Sequence, residues 1–217
     1  MSKLHNRTDA GQKLAEKLAA YTNHPNAIVL ALPRGGVPVG YEISKALQIP
    51  LDAFLVRKLG TPGQEELAMG AIAMGNICVF NDFVVASQNI SKTTINLIID
   101  REQKELARRN QVYRAGRPAP NLKDKMIILV DDGLATGATM RAAVLAIKQM
   151  QPAQIIVAVP VSAYDTYLEF TQLVDEVICL QTPEPFSAIG LWYDDFSQTS
   201  DSEVQTLLAR AKRMLEK

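Results

Sequence analysis

The chain has 217 residues, 47% apolar and 21% charged, with 23 basic and 23 acidic side chains and a net charge of zero. That length and balance suit one globular domain that buries a core without disulfides. A neutral total argues against a general nucleic-acid binder, and no apolar run reaches the roughly 18 residues of a membrane span. The polar start, MSKLHNRTDAGQKLAEK, lacks the apolar core of a signal peptide, so a cytoplasmic protein is expected. Cys78 and Cys179 sit among apolar neighbours and are expected as small buried hydrophobes. His5 and His24 have no neighbour at metal-ligand spacing.

Residues 9–20 carry Leu14 and Leu18 at helical spacing, with Thr8 or Asp9 as the expected N-cap. Ala27 to Leu32 (AIVLAL) is a continuous apolar run of strand length, broken by Pro33-Arg34-Gly35-Gly36. Helical spacing returns over 37–47, where Pro38 fits a first turn, and 51–56 reads as a second buried strand. Strand, turn, helix and strand in that order form a βαβ unit, which implies a parallel sheet. Residues 57–75 differ: Gly60, Gly63, Gly70 and Gly75 punctuate polar residues without a period. The stretch is too long for a simple connection and reads as a flexible functional loop or, in part, a hairpin. Residues 77–86 look like strands pairing across Asn81-Asp82. A charged helix follows over 91–115 and ends at the stop signals Gly116 and Pro118. Its Arg101, Arg108 and Arg109 are read as a solvated or subunit-facing surface.

The second half repeats the alternation. Strands are expected at 126–130, 154–161 and 176–180, with helices at 140–150, 164–172 and 202–215. Thr182 to Thr199 is irregular and rich in proline and aromatic residues. No repeat or linker divides the chain, so residues 1–217 form one α/β domain with a central, mainly parallel sheet flanked by helices.

The chemistry concentrates in Ile127 to Thr139, IILVDDGLATGAT. A buried strand ends in two adjacent carboxylates, then a small-residue loop leads into a helix. Ligands of open parallel sheets bind outside the carboxyl ends of the strands. Backbone amides of Ala135, Thr136, Gly137, Ala138 and Thr139 converge at a helix N-terminus, which favours an anion. Gly137 removes a side chain where a phosphate must approach. Asp131 and Asp132 repel phosphate but accept from vicinal sugar hydroxyls. The segment therefore predicts a sugar phosphate, without saying which.

This pattern (apolar strand, two acids, two intervening residues, then small-Thr-Gly-x-Thr) resembles the phosphoribosyl-pyrophosphate motif of the type I phosphoribosyltransferases. The resemblance implies that Asp131 and Asp132 bind the ribose hydroxyls of 5-phosphoribosyl-1-pyrophosphate and that Ala135 to Thr139 bind its 5-phosphate. Leu32 to Gly36 resembles the family's pyrophosphate loop, with Arg34 supplying charge, the amides of Gly35 and Gly36 reaching the anion, and a cis peptide implied at Pro33–Arg34. Arg57 and Lys58 stand where family members meet the pyrophosphate, and residues 57–75 where a flexible loop closes over it. Phe186 to Phe196 resembles the hood over the base. Trp192 would stack on the base, and Asp194, on the same face if the segment is extended, would reach the magnesium shell.

The implied activity is transfer of the phosphoribosyl group to a small heterocyclic base with magnesium as cofactor, in a homodimer that binds neither nucleic acid nor membrane. Some members acting on 6-oxopurines carry an acid where this chain has Ala135, which puts that substrate class in doubt. The family also contains regulators that sense the donor with little turnover, a second reading of the same motif.

Overall fold

Val29, Leu30, Ala31 and Ile127 to Val130 expose no surface to solvent. Strands of a parallel sheet are covered on both faces, and so they read as unbroken apolar runs. The computed structural model describes residues 2–88 and 90–215. Its elements are α1 (Arg7–Lys17), β1 (Ala27–Ala31), α2 (Gly36–Leu47), β2 (Leu51–Ala53), β3 (Val56–Thr61), β4 (Gln64–Ala73), β5 (Ile77–Phe80), α3 (Asp82–Ser87) and α4 (Lys92–Arg114). The second half adds β6 (Met126–Val130), α5 (Ala138–Gln149), β7 (Gln154–Val161), α6 (Tyr164–Leu173), β8 (Glu176–Gln181) and α7 (Asp201–Leu215). No helix among the described residues is long and apolar enough to cross a membrane.

The main sheet is parallel throughout, in the order β2-β1-β6-β7-β8. Alternate residues face opposite sides. Leu30, Ile127, Leu129 and Val157 pack with Met140, Val144 and Ile147 of α5. Val29, Ile128, Val130 and Ile156 pack with Leu14 and Leu18 of the N-terminal segment and with Val39, Ile43 and Leu47 of α2. From β1 the chain moves outward to β2, and from β6 it moves the other way to β7 and β8. The strand order therefore reverses between β1 and β6, and a crevice opens at their carboxyl ends, the usual ligand position in such sheets.

Residues 57–75 form the greater part of a hairpin. β3 and β4 pair antiparallel, with register shifts at Leu59/Gly60 and Gly60/Thr61. Gly63 adopts φ +76° beside the turn. β5 joins the other edge of β4. The glycines that resemble loop punctuation serve a bulge and a close approach: a Cβ on Gly70 would lie 2.3 Å from the Val79 carbonyl. The expected pairing across Asn81-Asp82 is not formed. Asn81 caps α3 instead, its side chain accepting from the Val84 amide at 3.2 Å. The strand expected over 51–56 is likewise divided, since β2 stops at Ala53 and Val56 opens the hairpin. Asn6, not Thr8 or Asp9, caps α1 by accepting from the Asp9 amide. Cys78 is exposed because it lies on the short outer strand β5, whereas Cys179 is half-buried and its thiol is raised to about 11 by burial.

Arg114, at the end of α4, ties that helix to β2 of the main sheet. Its side chain is 2% exposed. It grips the Asp52 carboxylate of β2 through Nε at 2.9 Å and Nη2 at 2.7 Å, and donates to the carbonyls of Arg117 and Pro118 at 2.8 Å. Removing one partner of a buried pair leaves the other charge uncompensated. Arg114→Ala should therefore cost about 3–5 kcal/mol of stability by urea denaturation. A loss below about 1 kcal/mol, the level of an exposed pair, would show that this clamp is idle.

Candidate functional site

β1 and β6 end level, with Ala31 opposite Val130. The Leu32 amide continues the ladder by donating to the Val130 carbonyl at 2.9 Å. The two following segments, 32–36 and 131–139, thus leave the sheet in contact. A Cβ on Gly36 would stand 2.7 Å from the Val130 carbonyl oxygen, and one on Gly35 would stand 1.9 Å from Asp132 Oδ2. These glycines are needed because the acids occupy the space of a side chain. The Gly36 amide, expected from the sequence to reach an anion, is bonded to the Leu32 carbonyl at 3.0 Å in this structure. The Pro33–Arg34 peptide is cis.

Asp131 and Asp132 form the acidic end of β6. The Asp132 amide donates to Asp131 Oδ1 at 2.8 Å. Burial, and then the charge of Asp132, hold the Asp131 carboxyl well above its ordinary value of 3.8. Asp132 is paired with Arg7 of α1, Nη2 lying 2.8 Å from Oδ2.

The loop from Ala135 is braced from below by α6. Thr166 Oγ1 donates to the Ala135 carbonyl at 2.6 Å. Gly137 has φ +69°, and a Cβ there would lie 2.7 Å from Phe170 Cε2 and 2.9 Å from Thr166 Cγ2. Conformation and packing both require glycine. Among the described residues, the amides of Ala135, Thr136 and Gly137 donate to no backbone or side-chain oxygen. Those of Ala138 and Thr139 open α5, where a helix leaves its first amides unsatisfied. A cavity of about 360 Å³ runs along this loop, lined also by Asp131, Gly133, Lys58 and Ile189.

A second cavity, of about 260 Å³, adjoins the first through Lys58 and Thr139. Pro33, Arg57 and Arg109 contribute to its wall. The structure thus gathers Asp131, Ala135 to Thr139, Arg57 and Lys58, with Asp132, Gly35 and Gly36 packed beneath. Arg57 is held by Glu102 of α4 at 2.7 Å. Arg34 is turned toward α7, with Nη1 3.6 Å from Asp201. Arg109, read from the sequence as a solvated position, lines the cavity because α4 crosses the hairpin there. Its spacing on a charged helix carries no signal of this.

The hood residues are arranged differently from the expectation. Ile189 to Trp192 form a 3-10 turn, so the segment is not extended through Trp192. Ile189 faces the loop: its Cγ2 would lie 2.6 Å from a Cβ on Gly133. Trp192 packs against the cluster of Leu4, Ala10, Val161 and Tyr193, and its buried Nε1 finds no partner among the described residues. Asp194 is exposed, its amide donating to the Leu4 carbonyl at 2.9 Å. Tyr193 Oη donates to the Asp132 carbonyl at 2.8 Å, and burial raises its phenol far above the ordinary value.

Residues 2–194 match the phosphoribosyl transferase domain family. Two proteins of Mycobacterium tuberculosis, from strains CDC 1551 and H37Rv and provisionally named phosphoribosyl transferases, are each 42% identical over 213 residues. The match covers 98% of this chain and 48% of theirs, so the chain spans about half the length of these curated relatives. The crystal structure of TT1426 from Thermus thermophilus is 36% identical and superposes with a TM-score of 0.87, covering 97% of this chain and 99% of that one. With the parallel sheet, the acid pair and the glycine-threonine loop, these matches show that the chain belongs to the phosphoribosyl transferase domain family.

Proposed function

We propose that the protein transfers the phosphoribosyl group of 5-phosphoribosyl-1-pyrophosphate to a nitrogenous base and releases pyrophosphate. The observation that carries this reading is the junction of two unlike cavities at Lys58 and Thr139. One is walled by free amides beside a carboxylate, the other by Arg57, Lys58 and Arg109. A ligand filling both would be an anion at each end with hydroxyls between, which describes the donor.

In this assignment Asp131 and Asp132 accept from the ribose hydroxyls and the amides of Ala135 to Thr139 bind the 5-phosphate. The bond from the anomeric carbon to the pyrophosphate oxygen breaks, and a bond to the base nitrogen forms. Positive charge develops on the ribose and negative charge on the leaving group. Arg57, Lys58 and Arg109 face the latter, so catalysis is chiefly electrostatic and positional. Ile189 is the hood residue that lines the loop cavity, while Trp192 packs in the cluster behind it.

Among the described residues, no three carboxylate, imidazole or thiol groups converge as a metal cage. Magnesium does not require such a cage, because it keeps several waters and takes one or two carboxylates plus substrate phosphates. Asp194 is exposed at the hood and lines neither cavity, so the donor's phosphates and waters would be the main ligands, and the ion when bound would neutralise charge on the pyrophosphate.

Three measurements test this reading. Purines, pyrimidines and related heterocycles, incubated with donor and magnesium, should yield pyrophosphate with at least one acceptor. Donor binding without turnover across the panel would indicate a sensor, and no binding would overturn the assignment. Second, Arg109→Gln should weaken binding of inorganic pyrophosphate by about tenfold, the loss of one charge-assisted hydrogen bond. Equal affinity would return Arg109 to the surface.

The third exploits the raised Asp131 carboxyl. Because its folded pKa lies above the unfolded value, ionisation costs native stability. The cost is absent below the ordinary value of 3.8 and grows as pH rises through the raised folded value. Asp131→Asn should therefore raise the melting temperature of the ligand-free protein at about pH 8, with the gain shrinking toward about pH 4. The same variant should bind the donor more weakly. A variant less stable at every pH would show that Asp131 has a structural task.

A further inference from the structure

Arg7 is the first residue of α1, remote in sequence from the motif, yet its side chain is only 11% exposed and ends at Asp132. Nε and Nη2 both lie 2.8 Å from the same carboxylate oxygen, Oδ2. Nη1 donates to the Ser197 carbonyl at 2.7 Å, and the guanidinium carbon stands 4.0 Å from the centre of the Phe196 ring. A Cβ on Gly35 would come within 3.2 Å of Nε. One guanidinium thus touches the acid pair, the 32–36 segment and the hood. The hood reaches the same acid by a second route, through Tyr193 Oη on the Asp132 carbonyl.

We infer that Arg7 is a positioning residue. It fixes the rotamer of Asp132 so that one oxygen stays available to the donor's ribose diol, and it couples that acid to the hood. Oδ2 is held between Arg7 and Gly35. Oδ1, which takes no bond from Arg7, is the oxygen assigned to a ligand hydroxyl, with the Asp131 side chain within hydrogen-bonding reach of Asp132. A lone Asp132 beside Asp131 would be pushed away by its neighbour's charge, and the guanidinium offsets that repulsion. A planar fork that also stacks on an aromatic ring suits this task, whereas an ammonium cannot reproduce both contacts. A buried pair is weak evidence for stability, since desolvation opposes the attraction. The placement of this one on a proposed ligand acid points to orientation. The inference rests on Asp132 being a ribose acceptor.

The test is calorimetric titration of the whole chain with magnesium and three probes: 5-phosphoribosyl-1-pyrophosphate, ribose 5-phosphate and inorganic pyrophosphate. Arg7→Gln should weaken the two ribose-bearing probes by about tenfold or more, as expected when a ligand-positioning group is displaced, and leave pyrophosphate unchanged. Arg7→Lys, which keeps the charge and protects the fold, should fall between. In an Asp132→Asn background the Arg7→Gln effect should vanish, because the residue acts through that carboxylate. Hydrogen exchange at 193–197 should quicken in Arg7→Gln. Equal weakening of all three probes would mean general destabilisation and overturn the inference. An undiminished effect in the Asp132→Asn background would mean direct contact with the donor and overturn it too. A wild-type chain that binds pyrophosphate but neither ribose compound would instead remove the ribose assignment, and this inference with it. Wild-type binding of all three with an inert Arg7 would remove this inference alone.

Discussion

Ala31 and Val130 are paired at the carboxyl ends of two neighbouring parallel strands, and the positions of the 32–36 segment and the acid pair follow from that register. Because the strands end level, the 32–36 segment and the acid pair leave the sheet touching. There is then no room for side chains at Gly35 or Gly36. The strand order reverses at this same place, so neither segment is covered by a crossover helix. The two cavities differ because of what each segment meets next. The 131–139 segment meets α6, which shapes its loop, while the 32–36 segment meets the hairpin and α4, which supply cations.

The charges of the site are not isolated. Asp132 is matched by Arg7, Arg57 by Glu102 and Arg34 by Asp201. These partners come from α1, α4 and α7, three helices with no motif of their own. The exposures differ in a useful way. Arg7 and Asp132 are 11% and 13% exposed, while Arg34 and Asp201 are 37% and 42% exposed. The shielded pair suits a fixed arrangement. The exposed pair is screened by water and contributes little, so Arg34 can exchange Asp201 for an anionic ligand at small cost.

Where local reading of the chain failed, tertiary packing had reassigned an ambiguous signal. Glycine in residues 57–75 marks a loop if the segment is alone. Against β5 it marks a strand whose neighbour approaches too closely for a Cβ, as at Gly70. Asn81-Asp82 begins a turn or a helix with equal ease, and α3 takes it as a cap. Trp192 and Asp194 would share a face in an extended chain, but the 3-10 turn ending at Trp192 removes that premise and presents Ile189 instead. Arg7 and Arg109 were invisible as site residues. Each is one charge among many on a polar helix, and only the packing of that helix brings Arg7 to Asp132 and Arg109 to the second cavity.

The amino-acid sequence alone determined the parallel α/β architecture, the strand–acid–loop–helix segment and the family, since each is encoded by short-range order. An apolar run long enough for a buried strand, two acids at its end and a glycine-threonine turn keep their meaning wherever the strand is placed. The tertiary structure alone decided which cations face the second cavity, which hood residue faces the loop and which base neutralises Asp132. Those contacts join residues as far apart as Arg7 and Asp132, separated by 125 positions. No periodicity spans that distance, and the pairing exists only because α1 packs across the sheet at the end where the acids emerge.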